Sequence, residues 1–231
     1  MVGEFFGTLV LILLGGGVCA AVTLEKSYAK GAGWIVVTAG WAFAVACGIF
    51  VAKALGAPGA LNPVGPLADI AQGKGELTAS LGMIAAEFGG AFCGACLVWL
   101  HYLPHWAATD NAAGKLGVFC TAPAIRNPAA NLASEVIGTF ALVFIASAVG
   151  KAGPGIGEAP LVGLVVWAVG LSLGATTGYA INPARDLGPR LAHAVLPIAG
   201  KGGSDWGYAW VPVAGPVIGG LLAAALFRAL G

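Results

Sequence analysis

GYAINPARDLGPR, residues 178–190, sets Arg185, Asp186 and Arg190 within six positions of a chain that is otherwise nearly free of charge. The 231 residues are 58 % hydrophobic and only 9 % charged, against about 25 % charged in ordinary soluble domains. Within the stretch, Asn182 and Pro183 start a helix sharply, because Asn is a strong N-cap and Pro is favoured as the first helical residue. A second Asn-Pro, in ALNP at 60–63, also follows a long apolar run. Two short apolar segments, 58–71 and 178–197, thus carry an Asn-Pro helix start and are too short to cross a bilayer. They read as half-membrane, re-entrant helices.

Around them lie apolar runs of crossing length, which is roughly 17–25 residues. They fall near 3–24, 33–54, 79–103, 130–150, 159–177 and 208–229. The fold class expected is therefore all-α integral membrane, with six spans and two half-helices. The N-terminal run has no basic region before it and carries Glu4, so it reads as the first span and not as a cleaved signal peptide. The 38 glycines suit close helix packing. A net charge of +1 gives no reason to expect a nucleic-acid partner.

The chain also repeats. GEFFGTLVLIL (3–13) matches SEVIGTFALVF (134–144), pairing Glu4 with Glu135, Gly7 with Gly138 and Thr8 with Thr139, and ALNP matches AINP. Two tandem halves of three spans each must lie in opposite senses across the membrane. The expected domain is a single channel unit, 1–231, with inverted repeats at approximately 3–103 and 130–229. Inverted repeats bring their broken helices together near the midplane. Charge does not orient the chain: with the N-terminus inside, four Lys and Arg fall inside and seven outside.

Two helix N-termini meeting there concentrate positive dipole ends at one point. Cations and protons are repelled, while donors are offered to the oxygen of a neutral solute. The non-helical backbone before each Asn (Gly59, Ala60, Leu61 and Gly178, Tyr179, Ala180, Ile181) leaves rows of carbonyl acceptors. Such backbone is tolerated at depth where it lines a wet cavity or is buried in protein. Carboxylates inside the spans have two readings, as proton sites or as acceptors holding the re-entrant loops. The pairing of Glu4 with Glu135 favours loop holding; for Glu87 both readings stay open.

No enzyme chemistry is indicated. His101, His105 and His193 form no cluster with a nucleophile. Cys93 and Cys96 have metal-like spacing but lack a second ligand pair, so they and Cys19, Cys47 and Cys120 read as small packing residues. No metal or cofactor is expected.

The segments GEFFGT, ALNP, SEVIGTF and GYAINPARDLGPR resemble the aquaporin superfamily (major intrinsic proteins) over nearly the whole chain. NPARD and FCTAPA (119–124) are similar to the glycerol-facilitator branch, with Asp186 as that branch's marker. The resemblance implies a homotetramer with one pore per subunit, in a multi-pass cell-membrane protein. It also implies a selectivity filter of Trp41, Gly170, Tyr179 and Arg185. The Arg185 guanidinium offers a fork of donors to successive hydroxyls, the two aromatic rings face carbon, and Gly170 leaves room where water-only relatives typically carry His. Three departures stand out. The first motif is Asn62-Pro63-Val64 where the family has Ala third, unlike Asn182-Pro183-Ala184. Gly65 and Pro66 follow it. Ala60 replaces a frequent His. Val64 is expected to add bulk where the two prolines meet.

The function expected is passive passage of glycerol and similar small uncharged solutes with water, excluding ions and protons. A water, urea or ammonia channel, a proton-coupled transporter using Glu4, Glu87 or Glu135, and a non-conducting relative are the competing readings.

Overall fold

The computed structural model describes residues 1–152 and 158–230. Among these residues the chain is helical, with no strand. The helices are α1 (Val2–Thr23), α2 (Trp34–Ala54), α3 (Val64–Ala71), α4 (Leu77–His101), α5 (Leu103–Ala108), α6 (Ala112–Phe119), α7 (Pro128–Ala152), α8 (Glu158–Leu173), α9 (Pro183–Val195) and α10 (Val211–Leu230). Five of them are long and apolar enough to cross a membrane: α1, α2, α4, α7 and α10. Helix α8 has 16 residues and ends at Leu173, four short of the expected 177. The expected break at 150–160 falls in part on 153–157, outside the described residues, and its remaining positions are helical. Two further helices, α5 and α6, occupy most of the stretch 104–117 that reads from sequence as a polar break.

Packing is organised by glycines on helix faces. Helix α1 packs against α2 and α4, and α7 packs against α8 and α10. On α4, a Cβ on Gly94 would lie 2.6 Å from the Leu9 carbonyl oxygen, and one on Gly90 would overlap the Phe5 carbonyl. On α10, Gly215 and Gly219 press against Glu135 and Val136 of α7 in the same way. Both pairs have four-residue spacing, which brings backbones together in the membrane, where lipid supplies no hydrophobic drive between helices. The short helices α3 and α9 both pack against α4 and α10.

Local chemistry starts and stops the half-helices. The Asn182 side-chain oxygen accepts from Ala184 N (3.0 Å) and Arg185 N (3.1 Å), and Asn62 Oδ1 accepts from Val64 N (3.1 Å). At the far end of α9, Lys201 Nζ donates to the carbonyls of His193 (2.6 Å), Ala194 (2.7 Å) and Leu196 (2.7 Å). A cation there satisfies orphan carbonyls and the negative dipole end.

The expectation for Val64 needs correction. Its side chain is buried and directed at α10, where a Cβ on Gly220 would overlap Val64 Cγ1. A missing side chain on α10 takes up the extra bulk. Replacing Gly220 with alanine should therefore overpack this contact at about 1–3 kcal/mol, lowering the thermal midpoint in detergent. The Val64→Ala, Gly220→Ala double variant should recover most of the loss. A Gly220→Ala protein as stable as the parent would refute the fit.

Candidate functional site

Each loop ahead of a half-helix holds its backbone in an uncommon conformation. Gly59 and Gly178 have φ of 80°, Leu61 51°, Tyr179 38° and Ile181 43°. Non-glycine residues reach this left-handed region at a cost, so something must hold them. Buried carboxylates do. Glu4 accepts from Gly59 N (2.7 Å), Ala60 N (3.2 Å) and Leu61 N (2.9 Å). Glu135 accepts from Ala180 N and Ile181 N, both at 2.9 Å. Glu87 of α4 accepts from Asn62 N at 3.1 Å through one oxygen, and its other oxygen is buried with no partner among the described residues.

The two loops then exchange hydrogen bonds. Asn62 Nδ2 donates to Ile181 O (2.8 Å), and Asn182 Nδ2 donates to Leu61 O (2.7 Å). These two carbonyls, expected to be free acceptors in the rows, are thus engaged by the opposite loop. Each side-chain amide carries two N–H bonds. One is used in this exchange, and the other remains for the cavity that both asparagines line.

That cavity, of about 220 Å³, is lined by Trp41, Tyr179, Ala180, Ile181, Asn182 and Arg185, and by Pro58, Gly59, Ala60, Leu61 and Asn62. An apolar wall completes the lining. Trp41, Val45, Ile49 and Lys53 recur every fourth residue of α2, about 18 Å of helix rise. Glu158, Val162 and Val166 do the same on α8, and Leu11 and Leu142 add to the wall. Lys53 and Glu158 pair with each other, so the two stripes run antiparallel. The polar residues of the site were readable as motifs. Apart from Trp41, the wall was not, although its four-residue spacing was a usable signal.

At the other end, the Arg185 guanidinium carbon lies 4.0 Å from the centroid of the Trp41 ring, and Arg185 Nη1 donates to Phe119 O at 3.2 Å. Gly170 lines no part of the cavity. It backs Tyr179: a Cβ there would stand 2.9 Å from Tyr179 Cζ. Trp34, which sequence reasoning missed, donates from Nε1 to Gly170 O (3.1 Å) and meets Tyr179 edge-on. Gly178 is also set back, against Thr121.

Asp186 pairs with Arg190 four residues on, at 2.8 Å from Nε. Both are fully buried. Its other oxygen accepts from Thr121 N and Thr121 Oγ1, each at 2.8 Å. Arg190 donates onward to the carbonyls of Thr121 (3.0 Å), Ser204 (2.8 Å) and Asp205 (3.0 Å). Every strong donor and acceptor of this buried pair is therefore used, the condition under which buried charges are tolerated. The network ties segment 119–121, whose Phe119 carbonyl holds Arg185, to α9.

A helical bundle in which two half-helices meet at a polar cavity defines a membrane channel of the aquaporin type. The chain belongs to the major intrinsic protein family, whose model matches residues 1–227. It is 54 % identical to glycerol uptake facilitator protein 3 of Lactiplantibacillus plantarum, over 100 % of this chain and 96 % of that protein. It is 51 % identical to the glycerol uptake facilitator protein of Bacillus subtilis, over 98 % and 83 %. In structure it is similar to the aquaglyceroporin from Plasmodium falciparum, with a TM-score of 0.82 at 26 % identity, covering 98 % of this chain and 93 % of that one. The protein is accordingly a multi-pass membrane channel and not an enzyme.

Proposed function

We propose that the protein is a passive channel for glycerol and similar small uncharged solutes, with accompanying water. The observation that carries this reading is the cavity's two kinds of lining: an apolar wall from α2 and α8, and a rail of carbonyls, two asparagines and Arg185. A polyol has the same two kinds of surface, with carbon on one edge and hydroxyls on the other. Donors and acceptors on the rail replace its hydration without a large reorganisation. Arg185, beside the Trp41 ring, adds a fixed positive charge that repels cations and hydronium. In this reading Trp41, Tyr179 and Arg185 form the selectivity filter, with Gly170 giving Tyr179 its place. The names of the facilitators from L. plantarum and B. subtilis support glycerol as the permeant. Glu4 and Glu135 spend both carboxylate oxygens on loop N–H groups, which favours a channel over proton coupling at these two; Glu87 spends one and keeps the other buried without a partner among the described residues. The homotetramer and the pair of inverted repeats, about 3–103 and 130–229, belong to the same proposal; the matched roles of Glu4 and Glu135 support the repeat.

Stopped-flow light scattering on proteoliposomes tests it. An osmotic jump with glycerol should give re-swelling well above empty liposomes, independent of a pH gradient. Arg185→Ala should slow glycerol by about tenfold or more, the loss of one charged hydrogen bond, and should admit small cations. Water shrinkage without glycerol re-swelling would overturn the polyol reading, and uptake driven by a pH gradient would overturn the passive one.

A further inference from the structure

Trp41 is buried, and its indole N–H points away from the cavity into the bundle. There it donates to the thiol sulfur of Cys19 on α1, at 3.3 Å. One turn earlier on the same face, Gly15 leaves a hollow: a Cβ at that position would overlap the six-membered ring of Trp41. The front of the ring carries Arg185 at 4.0 Å. The indole is thus held at its N–H, at its six-membered ring and over its face, and α1 supplies two of the three contacts. A buried indole N–H needs an acceptor, and a thiol sulfur is a weak one. The orientation of the ring is therefore set by a soft contact that a single atom can change.

We infer that Cys19 is a positioning residue for solute selection, fixing the tilt of Trp41 and through it the width of the opening beside Arg185. This rests on the reading of Trp41 as a filter residue. Without the sulfur, the buried indole N–H loses the acceptor that fixes it, and the ring is free to tilt in search of another. The ring leaves its stacked place against Arg185, and the opening discriminates less by size. Serine at this position keeps an acceptor in reach and preserves the tilt.

The test compares permeability for glycerol and for ribitol, a five-carbon polyol, in proteoliposomes. The ratio of the two is independent of how much protein inserts. Cys19→Ala should lower the glycerol-to-ribitol ratio by about fivefold, the scale of one lost hydrogen bond, and Cys19→Ser should restore most of it. In a Trp41→Phe background, which lacks the indole N–H, Cys19→Ala should change nothing further, since the two residues act through one contact. A ratio unchanged by Cys19→Ala overturns the inference, as does an equal shift in the Trp41→Phe background. If Trp41→Phe and Trp41→Ala leave the ratio at the parent value, the filter reading itself fails and the inference falls with it.

Discussion

Replacing Glu135 with glutamine is expected to abolish glycerol and water flux while leaving the apolar spans inserted. The carboxylate accepts from two adjacent backbone donors, Ala180 N and Ile181 N. Glutamine offers one oxygen and one NH2 group, so one backbone N–H would face another donor in a buried place. Losing a charge-assisted bond and stranding its donor costs about 2–3 kcal/mol. That is enough to release a loop that holds Tyr179 and Ile181 at positive φ. Once Ile181 relaxes, its carbonyl leaves Asn62 and the exchange between the loops is lost. Glu4→Gln should behave alike, because Glu4 carries three such donors. The measurement is stopped-flow permeability with circular dichroism on the same preparation. Helical content near the parent value with flux at the level of empty liposomes is the expected pair of results. Glu135→Gln with parental flux would show that the loop holds its shape unaided.

The second large effect is expected at Gly170. Alanine there would put a methyl carbon 2.9 Å from Tyr179 Cζ. The ring has no retreat: Gly174, just past the end of α8, backs it as well, and Trp34 meets it edge-on. It must move toward Arg185 and narrow the opening. Under the proposed filter, which selects by aperture, the larger solute suffers more. Glycerol permeability should fall by about tenfold, equivalent to ~1.4 kcal/mol of barrier, and water by clearly less. Gly170→Val should exaggerate both. Equal losses for water and glycerol would mean that the substitution disturbs the bundle and not the filter.

The fold was largely legible because it is written in run length and in Asn-Pro. Spans predicted near 3–24 and 33–54 appear as Val2–Thr23 and Trp34–Ala54. Asn-Pro alone is a weaker signal than it looks. Asn127-Pro128 is a third copy, and it merely starts α7: Asn127 Oδ1 accepts from Ala130 N at 3.2 Å. What sets the other two copies apart is a carboxylate on a distant helix, and only the repeat of Glu4 and Glu135 hinted at that. Segment 119–121 announced itself by resemblance, but its hold on Arg185 runs through a backbone carbonyl, which any residue provides and no sequence pattern marks. The Val64 fit was invisible for another reason. Its partner is the absence of a side chain, at Gly220, more than 150 positions away.

The exchanged asparagine bonds have a consequence for biogenesis. Asn62 and its acceptor Ile181 are 119 residues apart. At roughly 5–20 residues per second of synthesis, the first half of the pore waits on the order of ten seconds in the bilayer before its acceptor exists. During that wait the Asn62 amide and the Leu61 carbonyl have only water or the insertion machinery as partners. Completion of the pore is therefore a late event that closes both halves together, and a nascent chain stalled before residue 181 should be inserted yet sealed by nothing of its own.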